Sequence, residues 1–238
     1  MMKIELSKRL QAVADMVSAG NITADIGTDH AYIPIYLIEN KIVPKAFAMD
    51  VNKGPLDIAA EHVNSYGFNN DITLRLSDGL FALKEGEAES VVIAGMGGAL
   101  VIRILESSMN VVNSLKELIL QPQSELMKVR GFLIDNGFYI EEENMVLDEG
   151  KYYPMMRVLP PSKGKVDDKW SDTELYYGKL LLESGNEVLK EFILKEKSIK
   201  EDILNRLKSN ENEKHLKRIN ELNDEIDTCM KGLKYYEV

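Results

Sequence analysis

Five short apolar runs, at 22–26, 46–49, 72–76, 90–94 and 118–120, alternate with helical patterns near 32–40, 55–66, 99–107 and 124–136, and this alternation constrains the chain more than anything else in it. Short apolar strands joined through helices need crossover connections. They therefore form a parallel sheet covered on both faces. The expected fold class is α/β, a doubly wound sheet. Ahead of the first run, Leu6, Leu10, Val13, Ala14 and Val17 recur at helical steps and predict a short amphipathic helix. After Gly137 the pattern changes to two extended runs, 138–148 and 152–159, joined at Asp148-Glu149-Gly150, which predicts an antiparallel hairpin closing the sheet.

Pro160-Pro161-Ser162-Lys163-Gly164-Lys165 reads as a linker, so the expected domains are 1–162 and 163–238. The second part is helical. Ser171-Asp172-Thr173-Glu174 has capping-box spacing, and a helix is expected from Glu187 to about Lys208. Ile219, Leu222, Ile226, Cys229, Leu233 and Tyr236 then follow heptad steps. The polar break at 209–212 predicts that these two helices fold back as a coiled-coil-like pair, with Val188, Leu189, Phe192, Ile199 and Ile203 as the facing residues. A seam closed within one chain implies a monomer.

Composition narrows the function. With 45% hydrophobic residues among 238, a sizeable core is available and disorder is excluded as the main state. The net charge of −10 provides no global field for nucleic acid, so such a partner must be held locally. Residues 163–238 carry 15 Lys+Arg against 17 Asp+Glu, whereas residues 1–162 carry 14 against 22, so the helical part is the less acidic one. The single Cys229 excludes a disulfide framework and a multi-thiolate site, and His30, His62 and His215 are too scattered to suggest a metal. The first residues lack a signal-peptide pattern and no apolar stretch is long enough to span a membrane, so a cytoplasmic location without membrane association is expected.

In an open parallel sheet the ligand lies beyond the carboxyl ends of the strands. Asp25-Ile26-Gly27-Thr28-Asp29-His30-Ala31-Tyr32, then Asp50, then Ser77-Asp78-Gly79, then Gly95-Met96-Gly97-Gly98 occupy those places. A dinucleotide fingerprint needs a glycine where Asp29 stands, and Asp29 would repel a diphosphate. S-adenosylmethionine has no phosphate and carries a sulfonium and an ammonium. Asp50 suits its ribose diol and Asp78 its adenine amine, while Gly27 and the 95–98 loop permit close backbone approach. On the residues alone, the acceptor is open: an RNA, a small molecule or a protein, or no acceptor at all in a binding module.

Gly-Thr-Asp-His-Ala-Tyr at 27–32, Ser77-Asp78-Gly79-Leu80, Ala-Gly-Met-Gly-Gly at 94–98, Gln121-Pro122-Gln123 and the leading Leu6-Ser7-Lys8-Arg9-Leu10 together resemble the bacterial tRNA adenine(22)-N1-methyltransferase family. The resemblance implies a Rossmann-like class I S-adenosylmethionine-dependent fold that methylates N1 of adenine 22 in tRNA, with the helical appendage helping to hold the RNA. Its cofactor pocket maps to Asp25, Gly27, His30, Asp50, Asp78, Gly79, Gly95 and Met96. Adenine N1 already has a lone pair, so alignment rather than deprotonation is the main task. Asp29 is the candidate catalytic residue, orienting the exocyclic amine or stabilising the developing ring cation. Tyr32 and Pro122 are candidate walls for the exposed base. Arg9, Lys197, Lys200 and Lys217 are candidate substrate contacts; Lys190, Lys195, Arg206, Lys208, Lys214 and Arg218 belong to the same basic stretch.

Overall fold

The computed structural model describes residues 3–165, 169–209 and 215–237, in two compact units, Met1–Lys169 and Trp170–Val238. In the first unit, strands β1 (Thr23–Ile26), β2 (Ala46–Asp50), β3 (Ile72–Leu76), β4 (Ser90–Met96) and β5 (Glu117–Pro122) are parallel, and β6 (Tyr139–Asp148) and β7 (Lys151–Leu159) form the antiparallel hairpin. The sheet order is β3-β2-β1-β4-β5-β7-β6, with β7 antiparallel to both of its neighbours. The hairpin folds back, so its second strand takes the interior place. Its turn, Glu149–Gly150, has both φ angles positive, at 46° and 78°, which matches the strand twist.

Helices α1 (Lys8–Asp15), α2 (Tyr32–Glu39), α3 (Lys53–Tyr66), α4 (Gly98–Glu106), α5 (Met109–Ser114) and α6 (Leu126–Asp135) complete this unit. The Ser7 hydroxyl accepts from the Leu10 amide at 3.3 Å and fixes the start of α1. At six residues, α5 is too short for periodicity to reveal. Val91, Val92, Ile93, Leu118, Ile119 and Leu120 are wholly buried, because β4 and β5 are covered on both faces.

The second unit contains α7 (Asp172–Tyr177), α8 (Lys179–Glu183), α9 (Glu187–Ser209) and α10 (Leu216–Leu233). The capping box forms: the Glu174 amide donates to Ser171 Oγ at 3.3 Å and the Ser171 amide to Glu174 Oε2 at 2.7 Å. Glu196 lies near Cys229 while Lys200 pairs with Glu225, so α9 and α10 run antiparallel. The expected break falls, apart from Ser209, outside the described residues, and so does Lys214.

The seam on α9 differs from the expected one. Leu189, Ile193 and Leu204 are buried, whereas Ile199 and Ile203 are exposed by 51% and 38%. The helix is turned by about one residue because Glu196 and Lys200 occupy the middle of the seam. Glu196 accepts from the hydroxyls of Tyr176 at 2.9 Å and Tyr177 at 2.8 Å, and Lys200 bridges Glu196 and Glu225 at 2.9 and 3.4 Å. A paired, hydrogen-bonded charge can stand in a seam that an apolar pattern would deny it.

Candidate active site

The strand order reverses between β1 and β4, the place where an open α/β sheet forms its ligand crevice. On leaving β1, the amides of Gly27 and Thr28 both donate to the Met49 carbonyl of β2, at 2.8 and 3.0 Å. This directs the next residues across the sheet end. Gly27 has φ 76°, and a Cβ there would collide with the Met96 methyl group. On β4 the register shifts between Ala94 and Met96, leaving Gly95 as a bulge at φ 81°. The bulge is tied down by Gln121, whose Oε1 accepts from the Gly95 amide at 3.2 Å and from Arg9 Nη1 at 3.1 Å. Arg9 also lies over the Tyr153 ring at 5.4 Å.

These elements enclose a cavity of about 380 Å³. Of the expected site residues, Arg9, Asp25, Gly27, Asp29, His30, Tyr32 and Gly95 line it. Asp50, Asp78, Gly79, Met96 and Pro122 do not. Met96 instead covers Gly27, and Gly79 packs against Ile104. Pro122 is buried at the end of β5, and its neighbour Gln123 reaches the cavity in its place. Asp78 is exposed and faces Arg103 of α4 at 3.4 Å. Leu10 and Gln123, which stand in the quoted motifs without an expected site role, also line it, as does Ile33 of α2, which no motif marks. Val51, next to Asp50, is an apolar side chain left 56% exposed at the strand end.

Asp25 is buried at the cavity floor. Burial, and then the nearby Asp50 carboxylate, push its pKa up to about 6, against the partial relief of the Thr28 hydroxyl, which faces it without a closed hydrogen bond. Asp50 Oδ1 accepts from the Asn52 amide at 2.7 Å. Among the described residues neither acid has a basic partner, so the pair forms a negative site without a counter-charge, as a cationic ligand requires. Asp29 projects outward, its side chain 74% exposed, and pairs with His30 Nε2 at 3.2 Å.

In the second unit Lys197 pairs with Glu201 at 3.0 Å, and Lys200 is committed to the seam. Lys217 is exposed.

A methyltransferase-domain profile matches residues 6–156. The tRNA (adenine(22)-N(1))-methyltransferase of Bacillus subtilis is 37% identical over 181 residues, 76% of this chain and 75% of the relative. This chain belongs to the tRNA (adenine(22)-N(1))-methyltransferase family. The crystal structure of the Bacillus subtilis M1A22 tRNA methyltransferase TrmK covers 97% of this chain and 99% of its own, with TM-score 0.83 and 30% identity. Streptococcus pneumoniae Sp1610 in complex with S-adenosyl-L-methionine gives TM-score 0.85 at 33% identity, over 96% and 100% of the two chains. TrmK of M. capricolum in complex with S-adenosyl-homocysteine gives 0.82 at 26%, over 97% and 98%. No helix among the described residues is long and apolar enough to cross a membrane.

Proposed function

We infer that this protein transfers a methyl group from S-adenosylmethionine to N1 of adenine 22 in tRNA. The observation that carries the reading is the buried Asp25, its charge reinforced by nearby Asp50, lining with Gly27 the 380 Å³ cavity at the switch point. That volume is within the range of small-molecule sites. When bound, S-adenosylmethionine supplies an electrophilic methyl on a sulfonium. Asp25 offers negative charge to a cationic ligand, Asp50 accepts hydroxyl hydrogen bonds, and exposed Val51 provides an apolar wall.

The reacting N1 lone pair lies in the plane of the adenine, so the chain's contribution is to hold that ring edge-on to the donor. Correct alignment of this kind is worth ~7–11 kcal/mol. Asp29 can accept from the exocyclic amine, whose protons become more acidic as N1 gains its methyl, and its charge stabilises the cation that results. Tyr32, exposed by 38% at the cavity lip, offers a face on which the displaced base stacks. Arg9, whose guanidinium meets no carboxylate among the described residues, suits a phosphate or a carboxylate.

We assign methyl transfer to the first unit and RNA contact to the second. Arg206, Lys208 and Lys217 have no carboxylate partner among the described residues and are the more available phosphate contacts. The seam that α9 and α10 close within one chain supports a monomer. The tRNA substrate, together with one buried cysteine, supports a cytoplasmic location.

The test is incubation with methyl-labelled S-adenosylmethionine and bacterial tRNA, followed by nucleoside analysis. Label is expected in 1-methyladenosine and is expected to vanish from a transcript carrying guanine at position 22. Label in a protein or small molecule alone would replace this reading.

A further inference from the structure

His62 of α3 lies outside the cavity lining, 32 residues from His30, yet it meets the catalytic turn directly. Ala31 stands between His30 and Tyr32 at φ 56° and ψ 26°, wholly buried. A residue with a Cβ holds this left-handed conformation only where its surroundings impose it. Helix α2 satisfies the Ala31 carbonyl, which accepts from the Ile35 amide at 2.9 Å. The carbonyl before it, that of His30, accepts from His62 Nδ1 at 3.1 Å. A carbonyl has no proton to give, so His62 carries its proton on Nδ1.

The rings add a second restraint. His62 lies 5.2 Å from the His30 ring and 5.4 Å from Tyr32, and His30 lies 4.9 Å from Tyr32, with all three planes within 21° of parallel. His30 Nδ1 is buried and makes no hydrogen bond, so its ring is oriented by Asp29 on Nε2 and by these two neighbours.

We propose that His62 is a positioning residue for methyl transfer: its Nδ1–H fixes the His30–Ala31 peptide and its ring packs beside His30, which together hold Asp29 at the cavity mouth. This rests on the function proposed above, with Asp29 as the residue that meets the base.

Three variants separate the parts. His62→Phe keeps a ring and loses the donor, His62→Asn keeps an amide donor at the place of Nδ1, and His62→Ala keeps neither. The expected result is a roughly tenfold lower kcat for His62→Phe, with KM for tRNA and S-adenosylmethionine within about twofold of the native values, and recovery in His62→Asn to within about threefold. A His62→Phe enzyme with native kcat, or an Asn variant no better than Ala, would overturn the proposal. Imidazole 15N NMR of the unmodified protein gives a readout that does not need turnover. An Nδ1–H signal for His62, and a shifted His30 ring in His62→Phe, are expected; an Nε2–H tautomer at His62 overturns the positioning role whatever reaction the enzyme performs. Absence of 1-methyladenosine from the native enzyme, with the NMR result as expected, would instead remove the assigned reaction and leave the His62 contact standing.

Discussion

Asp25 is kept largely out of water, and this has a measurable signature. Between the ordinary carboxyl value of 3.8 and about 6, the native state holds a proton that the unfolded chain has released. Raising the pH through that window therefore favours unfolding, and above it the folded protein carries the full cost, about 3 kcal/mol. Asp25→Asn should be more stable relative to the native protein at pH 7.5 than at pH 3.5 by roughly that amount, as read by urea unfolding at both pH values. The same variant should bind S-adenosylmethionine more weakly by calorimetry, because the buried negative charge is what a cation answers. Asp29→Asn keeps the shape and removes the charge, so kcat should fall by about tenfold or more with the cofactor affinity preserved. At Gly98 the constraint is packing: a Cβ would stand 2.5 Å from the Ser124 carbonyl oxygen and 2.9 Å from Val129 Cγ2. Gly98→Ala should lower stability by about 1–3 kcal/mol, measured as a fall in Tm.

At the scale of elements, α9 and α10 show how a polar group can be structural. Glu196→Ala would remove the carboxylate that Tyr176, Tyr177 and Lys200 share, leaving Lys200 with Glu225 and the Tyr177 hydroxyl with Cys229. A loss of about 1–3 kcal/mol is expected in thermal unfolding, whereas Ile199→Ala, on the exposed side, should change stability by less than about 1 kcal/mol. Equal losses would restore Ile199 to the seam. The strands were legible in the sequence because runs such as Ser90-Val91-Val92-Ile93-Ala94 are buried on both faces and carry no competing helical period. Asp25 and Gly27 were legible at the cavity because the topology rule needs only their place at the carboxyl end of β1. Gln121 stood in a quoted motif but its role did not show, and His62 was not marked for the site at all. The first acts through a bulge on another strand, and the second through a peptide group far away in sequence, so neither role leaves a local pattern. Pro122 is the last residue of β5 and Gln123 the first beyond it, and that one step exchanges core for cavity.

For the molecule as a whole, an acidic chain must hold an acidic polymer. The division of charge, 14 Lys+Arg against 22 Asp+Glu in residues 1–162 and 15 against 17 beyond, places the least unfavourable surface on the helices. If Arg206, Lys208 and Lys217 each neutralise one phosphate, their share of tRNA affinity falls about 40-fold between 50 and 200 mM salt. Changing all three to Gln should flatten the plot of log affinity against log salt by about three units of slope, in filter binding; an unchanged slope would move the RNA contact elsewhere.

The interior position of β7 also bears on synthesis. A ribosome that has delivered everything up to Asp148 has produced a strand with nowhere to dock, since among the described residues β6 pairs with β7 alone, and a β5 edge still waiting for its neighbour. The nascent sheet is sealed only when Lys151–Leu159 clears the exit tunnel, so this late segment governs how long sticky backbone is presented to the cell.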